Sequence, residues 1–192
     1  YFGLGGALWR DKAGTLDFST TTAKLDFSYS KRMGGSRRSA HYLVLGAEGG
    51  LSQRNVDLTK AEYGNQNDNG TFNPNLPNYE NYIRDHYLFP DVSAGILWFS
   101  VLNKETNFYF GGAYSHINRA NQSFKQGEFI PLYSKFTIHG GGEFRIGQKL
   151  GLLPGIVGLF QGPSFEVNTG ANFKFILDRF ETNAFSAGLW AR

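Results

Sequence analysis

Four histidines, His41, His86, His116 and His139, and a complete absence of cysteine set the chemistry open to this chain. Without Cys there is no thiolate metal site, no Cys nucleophile and no disulfide. None of the histidines sits in a two-His helical motif, so their spacing favours structural or interfacial roles over metal ligation. Glycine clusters at Gly3 to Gly6, Gly111 to Gly112 and Gly140 to Gly142 could suggest a phosphate loop. Such loops need a helix behind them to aim its N–H groups, and these glycines lie inside strand-like patterns. The stretch Asn65-Gln66-Asn67-Asp68-Asn69-Gly70 places oxygens and Gly as a calcium loop does. Leu76 then occupies the twelfth position, where a bidentate Glu is needed, so an ordered Asx-rich loop is the better reading. No strand presents Ser and His at a hydrolase spacing. The sequence therefore predicts no enzyme, no metal site and no cofactor.

The charged residues are the remaining candidates. Lys24, Asp26, Glu48, Arg54, Glu143, Arg145, Glu166 and Lys174 all fall on one parity within strand-like segments. Both signs share that face. Their spacing predicts a network of ion pairs lining a wet interior, with a selective pore lining as the functional alternative. A separate basic cluster, Lys31, Arg32, Arg37 and Arg38, reads as a charged turn. The net charge of +3 argues against a nucleic-acid partner.

The elements that must carry these residues alternate with period 2. From Thr21, the odd positions are Thr21, Ala23, Leu25, Phe27 and Tyr29, and the even ones are Thr22, Lys24, Asp26, Ser28 and Ser30. The pattern recurs at 43–54, 135–146 and 165–177. Nine strand candidates follow, near 2–10, 16–31, 40–58, 87–101, 106–117, 132–146, 151–161, 164–177 and 182–192. With 18 Phe, 10 Tyr and 25 Gly the composition also leans towards strand. Many candidates exceed the ~5–6 residues of soluble strands and suit the ~9–11 that cross a membrane at a tilt. No apolar run reaches the ~18–20 residues of a membrane helix.

The expected fold is all-β: a transmembrane, antiparallel up-and-down β-barrel in a single domain over 1–192. The apolar face meets lipid and the charged face lines the lumen. Bacterial single-chain barrels have even strand counts and no open edge, so nine strands predict a larger complete barrel, with this chain incomplete at one or both ends. A soluble β-sandwich is the rival, but its dry core would not accept small and charged residues on one face. Two long connections, 59–86 and 118–131, share one end. Barrels carry long loops outside the cell and short turns inside, so both are expected at the cell surface.

Several segments resemble a known family. They are Gly50-Leu51-Ser52-Gln53-Arg54-Asn55-Val56-Asp57, Gly64-Asn65-Gln66 and Phe72-Asn73-Pro74-Asn75-Leu76-Pro77, then Phe89-Pro90-Asp91. Ser115-His116-Ile117-Asn118-Arg119-Ala120-Asn121-Gln122-Ser123-Phe124, His139-Gly140-Gly141 and Gln161-Gly162-Pro163 follow in order. Over about residues 3–177 the chain resembles the PorP/SprF proteins of Bacteroidota. The resemblance implies an outer-membrane, non-enzymatic barrel of the type IX secretion and gliding motility machinery. It further implies partners among other secretion components and secreted surface adhesins, which it helps to secrete or attach. A general porin-like solute channel is the alternative. The expected partner-binding residues lie in the two long loops: Asn73, Pro74, Tyr79, Tyr82, Asn118, Arg119, Asn121 and Gln122.

Overall fold

A computed structural model of the chain describes residues 1–68, 70–77, 84–125, 127–178 and 183–192. It is a single antiparallel sheet of nine strands: β1 (Phe2–Ala13), β2 (Phe18–Gly35), β3 (Ala40–Asn55), β6 (His86–Asn103), β7 (Thr106–Ser115), β8 (Lys135–Arg145), β9 (Leu150–Gln161), β10 (Ser164–Ile176) and β11 (Ala184–Ala191). Each pairs with its sequence neighbour, so the sheet runs up and down without crossover, and β1 and β11 form its two edges. A two-stranded hairpin, β4 (Asn67–Asp68) with β5 (Thr71–Phe72), and two 3-10 turns, Leu58–Lys60 and Gly64–Gln66, decorate the first long connection. No helix among the described residues is long and apolar enough to cross a membrane.

Turn chemistry explains the pairing. Gly162 has φ +55° ahead of Pro163 and closes a two-residue hairpin between Gln161 and Ser164. A Gly at that position is what a type II′ turn requires. Gly35, at φ +134°, ends β2 after a bulge at Arg32 to Gly34. The Asn103 side chain accepts from Glu105 N at 2.8 Å and makes the β6–β7 turn.

The side chains are distributed inside out compared with a soluble domain. Leu25 is 76% exposed, Phe165 75% and Leu189 86%. By contrast Asp91, Ser93, Ser52 and Thr22 are buried. The register explains this: Ala23, Leu25, Phe27 and Tyr29 line up with Leu51, Gly49, Ala47 and Leu45, and these with Pro90, Val92, Ala94 and Ile96. One face of the sheet is thus a continuous apolar surface, and among the described residues no second layer packs on it. In water such a face would be driven into contact with something apolar; in a bilayer it already is. Along that face the charged strand residues are Arg10, Lys12 and Lys31, all close to strand ends. Both β2 and β6 have 18 residues, about 60 Å at ~3.3 Å per residue, so they project beyond an apolar layer of about 30 Å.

Candidate functional site

The opposite face collects the charges. Register places Lys24, Asp26, Glu48, Arg54, Glu143, Arg145, Glu166 and Lys174 together on it. They divide into separate clusters. In the first, the Lys24 ammonium donates to Glu48 Oε1 at 2.6 Å and to Asp91 Oδ2 at 2.9 Å. Asp91 Oδ1 pairs with His116 Nδ1 at 2.8 Å, and Ser93 Oγ donates to Glu48 at 3.0 Å. Trp9 covers the ammonium, with its ring centre 5.5 Å away. Asp26 stands opposite Glu48 in the ladder. Like charges so placed repel, and Lys24, two residues along, offsets this.

Lys174 and Glu143 form a second pair at 2.7 Å. Glu166 binds Arg192 at 2.6 Å and accepts from Asn168. Arg145 reaches down to the carbonyls of Gly147 and Gln148 and braces the β8–β9 turn.

The long-loop end is held by a clasp. Asp17, in the β1–β2 turn, accepts from Lys60 at 2.5 Å and from Lys12 at 2.9 Å. The Lys60 and Lys12 ammonium groups bring its carboxyl down to about 2, and Asp17 in return raises Lys60. Asp57, lowered by the Thr59 hydroxyl, caps the same 3-10 turn. His86 likewise lowers Asp85 beside it.

Beyond the clasp, the Asx-rich segment is a turn. Asn67 Oδ1 accepts from Gly70 N at 2.7 Å, and Gly70 has φ +88°. No group of three or more metal-binding side chains occurs among the described residues. Asn73 accepts from Asn75 N and pairs through its backbone with Gln66, while Pro74 is exposed. Tyr79 and Tyr82 lie outside the described residues.

The second long connection, 116–134, is a folded object. It begins as a substitute strand: Asn118 donates to Pro90 O at 2.7 Å and accepts from Val92 N. Pairing of β6 with β7 stops at Ala94, so Asn118 satisfies a stretch of β6 that β7 does not reach. Pro90 suits that strand edge, having no N–H to offer. Asn121 is the staple of the loop, accepting from Ser123 N and Ile130 N and donating to Glu128 O. Gln122 Oε1 accepts from Arg54 Nη1 at 2.5 Å, and Gln122 O accepts from the Tyr87 hydroxyl at 2.8 Å. Phe124 packs edge-on against Tyr87, with ring centres 4.8 Å apart, and reaches Phe18 at 6.3 Å. Arg54 itself lies between the rings of Phe18 and Phe89, at 5.8 and 5.6 Å.

Of the loop residues singled out from sequence, Asn118, Asn121 and Gln122 therefore hydrogen-bond within the protein, with Asn118 and Asn121 also exposed. Arg119, at φ +43°, is exposed. Exposed with it are Ile117, Phe129, Ile130 and Tyr133.

Sequence reasoning did not single out Asp91, Ser93 and His116 for the charge cluster, nor Phe124 for the loop contact. For the β6 residues a signal existed, since Tyr87, Phe89, Asp91 and Ser93 share one parity. Phe124 carries no periodicity, because it sits in an aperiodic segment, and its one signal is its place at the end of a family-like segment.

The two ends differ in charge. Among described residues, connections at the long-loop end hold Lys60, Arg84, Arg119 and Lys125 against Asp17, Asp57, Glu62, Asp68, Asp85 and Glu128. Those at the short-turn end hold Arg37, Arg38, Lys104 and Lys149 against Glu105 and Asp178, with Lys31 and Arg32 close by on β2.

No curated protein and no solved structure matches the chain. A family model does, over residues 1–192, and its description is type IX secretion system membrane protein PorP/SprF. The match covers the whole length, and a single-layer sheet with one apolar face and one charged face suits a membrane component without spanning helices. The chain belongs to the PorP/SprF family of type IX secretion system membrane proteins.

Proposed function

We propose that this protein is an outer-membrane barrel that supports secretion or surface attachment of adhesin-type cargo, acting through protein contacts made by its long-loop end. Family membership implies contacts with other secretion components. The observation that carries the finer reading is the loop 116–134. Its asparagines and Gln122 are hydrogen-bonded internally, and this frame exposes Arg119, Phe129, Ile130 and Tyr133. Arginine and large aromatics are the residue types enriched at protein interfaces, and a preorganised loop loses little entropy on binding.

Arg119→Ala combined with Phe129→Ala tests the reading in the native host. The protein should insert normally while cargo on the cell surface falls several-fold. Unchanged display would refute the partner role of this loop. A Cys at position 68, in a chain with no other Cys, checks the orientation: it should react with an impermeant maleimide on intact cells.

A further inference from the structure

We infer that the described residues of the loop, 116–125 and 127–134, form an inward-folded latch that closes the long-loop end of the barrel, with Phe124 and Gln122 as its bolt. The inference rests on the barrel reading above and adds a state to it.

The loop leaves β7 at Ser115 and returns to β8 at Lys135. Its shortest course would stay over those two neighbouring strands. Instead Gln122 and Phe124 reach back over β6 and β3 as far as Phe18, the first residue of β2. The receiving residues are built for this. Tyr87, Phe89 and Arg54 belong to the same face as Glu48 and Ser93, as their register shows. Tyr87 and Phe89 are buried, which is rare among hydrophobic residues here: with Ile176 they are the buried hydrophobics of the described chain. An aromatic box on an otherwise polar, hydrated face is unfavourable unless something covers it, and Phe124 does so.

The polar part of the contact is equally specific. Arg54 Nη1 meets both the Gln122 side chain and the Tyr87 hydroxyl. Among the described residues no carboxylate pairs with Arg54, so its cation is met by two rings and an amide oxygen. Such a contact holds without an ion pair and leaves the cation available to whatever displaces the loop. The two sides of the loop thus divide the work: Arg119, Phe129 and Ile130 face out, while Gln122 and Phe124 face in.

Two measurements on the purified, full chain reconstituted in vesicles test the latch. In the first, Tyr87→Cys with Phe124→Cys is treated with a short bifunctional maleimide. Efficient intramolecular cross-linking is expected; no cross-link in protein that has inserted refutes the inward fold. In the second, conductance in planar bilayers is compared for the wild type and for Phe124→Ala with Gln122→Ala. The wild type should be nearly silent and the variant should conduct several-fold more. A wild type that conducts as much as the variant overturns closure even if the cross-link forms. If the double variant does not insert, the cross-linked and uncross-linked forms of the Cys pair are compared, and the uncross-linked form must open more often. Failure of the wild type to insert at all would refute the barrel reading, which is a different result from any of these.

Discussion

Replacing Lys24 with Met probes the charged face directly. The ammonium holds two carboxylates, Glu48 at 2.6 Å and Asp91 at 2.9 Å, and only 10% of the Lys24 side chain is exposed. Removing one partner of a buried pair costs about 3–5 kcal/mol, because the remaining charge stays desolvated. Here Asp91 is 4% exposed and keeps His116, whereas Glu48 is 31% exposed and keeps Ser93. Partial hydration of Glu48 puts the expectation at the lower end, about 3 kcal/mol. Methionine fills most of the lysine's volume under Trp9, so loss of packing adds little. Equilibrium urea unfolding in vesicles, followed by fluorescence and gel migration, measures the change. The chain then needs a second variant, Lys24→Met with Glu48→Gln and Asp91→Asn. Neutralising all three partners should return most of the loss, since replacing a whole ion cluster by neutral groups is far milder than breaking it. A single variant within about 0.5 kcal/mol of wild type, the range of an inert surface change, would show that this face is hydrated well enough to dispense with pairing.

Leu45→Arg, in the middle of the apolar face, should cost about 2–4 kcal/mol of insertion stability in vesicles, while Ser186→Asn, exposed on the other face, should insert like wild type. The Asp17 clasp predicts a pH response. Its folded carboxyl lies at about 2, below its ordinary 3.8, so its stabilising contribution is complete above pH 4 and disappears as pH falls from about 4 to about 2. Protease cleavage within 56–68 should rise over that window in the wild type, and Asp17→Asn should already be cleaved readily at neutral pH. Gly35→Ala should weaken the β2–β3 turn by about 1–3 kcal/mol, because φ is +134° and the added Cβ would collide with Ser39 O; heat-modified gel migration would report it.

The strands were legible because period 2 is strong when one face of a sheet is apolar and the other polar and charged. All nine strands appear, with ends displaced by several residues where loop and strand residues look alike: β1 runs to Ala13 instead of 10, and β3 stops at Asn55 instead of 58. The hairpin of β4 and β5 was not legible, since two-residue strands leave no periodicity. The common face of the eight charged residues followed from parity, but their division into clusters did not. Which lysine meets which carboxylate depends on register between strands, which turn geometry and the apolar pattern set together. In the loops, residue type alone does not reveal the internal hydrogen bonds that Asn118, Asn121 and Gln122 make, because amide side chains also stand in for missing backbone partners.

The unequal charge of the two ends bears on how the protein enters a bilayer. A β-barrel must push one set of connections through the hydrocarbon layer, and each unpaired charge that crosses meets a barrier of ~2.5–3.5 kcal/mol or more at its centre. At the long-loop end the clasp ties Lys12 and Lys60 to Asp17, with Lys60 also near Asp57, so part of that charge is held as neutral pairs. Arg37, Arg38, Lys104 and Lys149 at the other end outnumber the carboxylates of their own connections. Pairing within the clasp thus lowers the charge that the long-loop end presents as bare ions, while the described short turns keep their basic excess over Glu105 and Asp178.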